Sequence, residues 1–146
     1  MSKVLNLYDK DFYAWTQEQA GFIKDNLLGK LDLIHLQEEL INMGASEKRE
    51  LGSRLTILLM HLLKWKYQPT RRGVSWELTI REQRLEVKDV LVDNLSLKSI
   101  IDTVCCNSYD KAILKAAKEA KLSPNAFPET CEWTIDQILD SNFYPN

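Results

Sequence analysis

Only two histidines, three cysteines, four prolines and five glycines occur in these 146 residues, and each shortage closes off some chemistry. Cys105 and Cys106 are neighbours in a helical stretch, where adjacent side chains diverge, and Cys131 is left over. No disulfide framework is therefore expected, and a reducing compartment is. No CxxC and no Cys/His pair stands at ligand spacing, which argues against structural zinc. Five glycines leave no Gly-rich loop for a phosphate, and no GxSxG elbow is present, so no cofactor and no nucleophilic catalysis are expected. The longest apolar patch, ILLMHLL, is far shorter than the ~20 residues a membrane-spanning helix needs. The opening MSKVLNLYDKDF lacks the apolar run of a leader, so no membrane and a cytoplasmic location are expected.

What is present suits one globular domain over residues 1–146: 45% hydrophobic and 27% charged residues with a net charge of −2. A chain of this length buries about 68–70% of its unfolded surface without needing staples. Helical spacing runs throughout and predicts an all-α, compact, bundle-like fold of about five to six helices. Asp9 is placed as the cap of a first helix that ends near Gly29 and turns Phe12, Trp15, Gln19, Phe22 and Ile23 inward. Asp32 caps a second, with Leu36, Leu40 and Met43 inward, stopped by Gly44. Ser46 caps a third, in which Leu51, Leu55, Leu58, Leu59, Leu62 and Trp65 keep core spacing; Pro69 forces its end near Tyr67. Ser75 starts a fourth, closed by Asn94. Ser96 starts a fifth, for which a kink or break is expected at the weakly helical CCNSYD. Thr134 caps a final short helix.

The charge is uneven. Lys64 to Lys88 carries seven basic residues against three acids, +4, which leaves −6 for the rest of the chain. This segment includes the corner HLLKWKYQPTRRGVSW, where Trp65, Tyr67, Arg71, Arg72 and Trp76, followed by Arg81 and Arg84, form a basic and aromatic candidate surface. Two structural roles compete with it. Both Trp can anchor a helical hairpin, with Arg71 and Arg72 on helix C-terminal carbonyls, and neighbouring acids can neutralise the patch. Acid–base or metal chemistry has a thinner basis in His35, Glu38, Glu39 and His61: a di-metal bundle wants Glu-x-x-His twice, and the chain has His-x-x-Glu once.

The stretches LYDKDFYAWTQEQA, EELINMGASEKRELGSRLTILLMHLLKWKYQP, SWELTIREQR and FPETCEWTIDQILDSNFYP resemble a bacterial family abundant in cyanobacteria, catalogued as domain of unknown function number twenty-nine. The resemblance covers nearly the whole chain, and it implies an all-helical cytosolic protein. It assigns no activity, substrate or catalytic residue. The positions that match its pattern are Asp11, Phe12, Trp15, Glu39, Met43, Gly44, His61, Trp65, Gln68, Pro69, Trp76, Arg81 and Arg84, while the pattern is loose at Arg71-Arg72-Gly73.

These readings rank a protein-interaction or adaptor module first, its partner a protein or a second copy of the chain. Nucleic-acid or anion binding through residues 64–88 comes next, disfavoured by the acidic pI near 5.7. An enzyme or metal site around His61 and Glu39 comes last.

Overall fold

A computed structural model describes residues 6–146. Among them are six α-helices and no strand: α1 (Leu7–Lys10), α2 (Phe12–Lys24), α3 (Leu33–Tyr67), α4 (Val74–Asp93), α5 (Ile101–Ala120) and α6 (Ile135–Leu139). Asp11 alone links α1 to α2, and a short 3-10 turn lies in each of the later connections. The chain divides into two compact units, Met1–Ala45 and Ser46–Asn146, and α3 contributes to both.

In the first unit the helix starts are set by side-chain caps. The Asn6 side chain accepts from the Asp9 N–H to open α1, and Asp11 accepts from the Ala14 N–H to open α2. Asp9 is thus an acid in the first turn of α1 and not the cap of the longer helix. That helix also stops before Gly29. Asn26 takes the left-handed conformation at φ 59°, and the Leu27 N–H reaches the Phe22 carbonyl at 2.7 Å, a C-terminal motif that Asn tolerates nearly as well as Gly.

Helix α3 runs unbroken through Gly44 and Ser46, so the second and third expected helices are one. A mid-helix glycine costs only about 1 kcal/mol. The strong helix formers on either side, with pairs such as Glu50–Arg54 at 2.8 Å, outweigh it. The end at Tyr67 falls where Pro69 requires.

The second unit holds the core. Leu51, Leu55, Leu58, Leu59, Leu62 and Leu63 of α3 are sealed from solvent. They pack with Ile80 and Val87 of α4 and with Tyr109, Ala112 and Ala116 of α5. Each such leucine contributes about 2–3 kcal/mol by burial. The Ser108 hydroxyl donates to the Gly52 carbonyl at 3.0 Å, tying α5 to α3. Gly73, rather than Ser75, is the N-cap of α4. A 3-10 turn, Leu95–Ile100, precedes α5, and α5 continues through CCNSYD because Cys105, Ser108 and Tyr109 face the core. Thr134 closes a capping box with Gln137 on α6.

Candidate functional site

The first unit is built around one carboxylate. Asp32 caps α3, accepting from the His35 N–H at 3.3 Å. Its other oxygen accepts from Trp15 Nε1 at 3.0 Å and lies 2.6 Å from His35 Nδ1. The Asp32 N–H in turn donates to Gln19 Oε1 at 2.8 Å, so α2 and the start of α3 are joined through buried Trp15 and Gln19. Tyr8 of α1 stacks on His35, with centroids 4.0 Å apart and planes 14° from parallel, and its hydroxyl donates to Glu39.

Electrostatics follow the geometry. The bond to Asp32 raises the His35 pKa above its ordinary value. Desolvation pushes the Asp32 carboxyl upward, but hydrogen bonds from His35 and Trp15 prevail and hold it below the usual range. The Tyr8 phenol, bonded to the Glu39 carboxylate, is pushed up to about 12.

Beside this cluster lies a groove of about 290 Å³ between α2 and α3, walled by Phe12, Ala20 and Ile23 on one side and Leu36, Leu40 and Met43 on the other. Its lining also includes Gln19 and Glu39, whose oxygens accept from the Asp32 N–H and the Tyr8 hydroxyl within the unit. The wall that remains is almost entirely hydrocarbon. Phe12, Ile23, Leu40 and Met43, expected to face inward, are 45%, 55%, 67% and 63% exposed. A helical hairpin has a single inner face, and Trp15 and Gln19 already fill it. Leu33, Ile34 and Ile41 stand out in water as well. The sequence carried a signal for this: in LDLIHLQEELINM the apolar residues ring the helix more widely than one core stripe requires.

The corner His61–Trp76 has a different character. Trp65 and Tyr67 are half-buried against the core, Trp65 beside Tyr144 at 5.0 Å and Tyr67 against Phe127 at 5.4 Å. Arg72 donates from Nε to the Trp65 carbonyl at 2.6 Å and from Nη2 to the Pro145 carbonyl at 3.3 Å. Arg84 is fully buried and donates to the Ile138 carbonyl at 2.8 Å and the Phe143 carbonyl at 2.6 Å. Burial lowers its pKa. The two arginines thus clasp the segment 143–145, with Arg72 over Trp65 and Arg84 over Tyr144. Lys64 pairs with Glu119 and lies over half-buried Trp76 at 4.7 Å, and Lys66 pairs with Glu132. Arg71 and Arg81 are exposed, Arg71 within 3.5 Å of Gln68 Oε1.

His35, Glu38 and Glu39 belong to the first unit and His61 to the second. The His61 ring is half-buried, its Nδ1 2.9 Å from the Ile57 carbonyl, and desolvation lowers its pKa. Burial pushes the Cys105 thiol up to about 12, which suits a core filler and not a nucleophile. Among the described residues no three His, Cys, Asp or Glu side chains gather as metal ligands, and no helix is long and apolar enough to cross a membrane.

Fold and site together define an all-α protein with a bundle-like core and an apolar groove set beside a Trp–Asp–His cluster. The chain belongs to the family described as Domain of unknown function DUF29, whose model matches residues 7–144. No curated protein and no solved structure matches it.

Proposed function

We propose that this protein is an interaction module whose working surface is the groove face of α2 and the start of α3. The supporting observation is that Ile23, Leu40 and Met43 stand exposed along a groove in which Gln19 Oε1, Glu39 Oε1 and the Thr16 hydroxyl are engaged within the unit itself. Contiguous apolar surface of this kind marks a binding site far more often than scattered single residues do. The segment 65–84 is the competing surface, with Arg71 and Arg81 as its exposed cations. Of its remaining anchors, Arg72 and Arg84 hold residues 138–145, Trp65 packs beside Tyr144 and Tyr67 against Phe127, and Trp76 lies under Lys64. The Asp32–His35 pair is read as the brace that sets the hairpin rather than as a reacting group.

Site-specific photo-crosslinking in cells tests the assignment. A crosslinking residue at Leu40 captures a protein partner and one at Arg71 does not. Capture concentrated at Arg71, or none at Leu40, would return the working surface to the corner.

A further inference from the structure

We propose that the occupant of this groove is a basic amphipathic helix of a partner protein, an inference that rests on the interaction reading above. The dimensions suit a helix. Phe12 to Ile23 on α2 spans about 16 Å at 1.5 Å per residue, and a helix that anchors at i, i+4 and i+7 needs about 10 Å of groove. The volume, about 290 Å³, is at the small end for a compact organic ligand. Such a ligand would also need convergent polar groups. Gln19 and Glu39 instead bond to the Asp32 N–H and the Tyr8 hydroxyl, so the groove offers hydrocarbon walls with open rims.

Charge selects among helices. Residues 6–45 carry three lysines (Lys10, Lys24, Lys30) against seven carboxylates, a balance of −4. Asp9, Asp11, Glu18, Asp25 and Glu38 are exposed, while Lys30 lies over the Phe22 ring. A helix with Lys or Arg flanking its apolar stripe meets complementary potential. A second copy of this hairpin would bring two units of −4 face to face, and like-charge juxtaposition opposes that pairing.

The test uses the full chain and two labelled peptides of about 18 residues, long enough to cover the groove as helices. Both carry leucine on one face; one has Lys and Arg on the other, and its twin has Glu at each of those positions. Fluorescence anisotropy at low salt is expected to show the basic peptide binding at least about tenfold more tightly than its twin. Ile23→Ser and Leu40→Ser should abolish binding without altering the melting curve. Equal binding of both peptides, lost in the variants, overturns the charge inference and leaves the groove as an interaction surface. Binding unaffected by the variants overturns both readings. No peptide binding, with a concentration-dependent dimer in sedimentation that Leu40→Ser dissolves, makes the occupant a second copy and overturns the basic helix. No binding and no dimer overturns both.

Discussion

The two units use the same alphabet of tryptophan, histidine, lysine and leucine to opposite ends. In the second, polar side chains reach into the core to hold the chain itself: Arg84 and Arg72 grip residues 138–145 through backbone carbonyls, and Lys64 and Lys66 are answered by Glu119 and Glu132. In the first, the polar groups are spent on bracing a hairpin around Asp32, and the large apolar side chains stay outside. A basic and aromatic stretch therefore marks the better packed unit, and a plain-looking acidic one carries the open surface.

The sharpest way to break this contrast is at Arg84. Arg84→Ala strands the Ile138 and Phe143 carbonyls and opens the space under Tyr144, and it should cost on the order of 4 kcal/mol in denaturant unfolding. Arg84→Lys should recover little, because one ammonium cannot replace a fork that reaches two carbonyls. A loss below about 1 kcal/mol would mean that the clasp is incidental.

Matched leucines give the next largest effect. Leu59→Ala in the sealed core should destabilise by about 3 kcal/mol. Leu40→Ala, on a side chain that is 67% exposed, should stay within about 0.5 kcal/mol of the parent. Equal losses at the two positions would show that the first unit has a core of its own at Leu40. Trp15→Phe comes third. It removes the indole donor to Asp32 while keeping most of the ring, so about 1 kcal/mol is expected, read as faster amide exchange in α2 and the first turns of α3.

Much of this was legible in the sequence. The all-helical fold, the Asp32, Asn94 and Thr134 boundaries, the end of α3 before Pro69 and the leucine stripe from Leu51 to Leu62 follow from local spacing and caps, which act within a few residues. Fusion of two expected helices across Gly44 was not legible, because a glycine is a weak breaker and its neighbours decide. The exposure of Leu40 and Met43 was only half legible: the surplus of apolar residues in LDLIHLQEELINM signals that some stay outside, but not which. Periodicity says which residues share a face, not whether anything covers that face. The double duty of Asp32, as cap and as brace for Trp15 and His35, joins residues 17 positions apart and has no local signature. The corner residues stand out in the sequence, but the Arg84 partners lie 54 and 59 positions away, so clasp and binding patch read alike.

The smallest expected effect separates the units by pH. His35 has a raised pKa, so its contribution is complete below the ordinary value of 6.5 and is lost as pH climbs through the raised one. Asp32 is held low, so its contribution is complete above 3.8 and fails only as pH falls through the depressed value. The first unit is therefore favoured between those two limits. His61 has a lowered pKa and does the reverse: its share of stability is complete above 6.5 and declines as pH falls below it. Taking the protein from about pH 8 to about pH 6, a range that brackets histidine titration, should raise amide protection, measured against the intrinsic exchange rate at each pH, around Asp32–Glu39 and lower it around His61. His35→Gln should flatten the first response and leave the second, and His61→Gln should do the opposite. Both effects are modest because each ring keeps part of its surface in water. A common response in the two regions, or one that survives both substitutions, would mean that the carboxylates near His35 or Glu119 near His61 govern the titration instead.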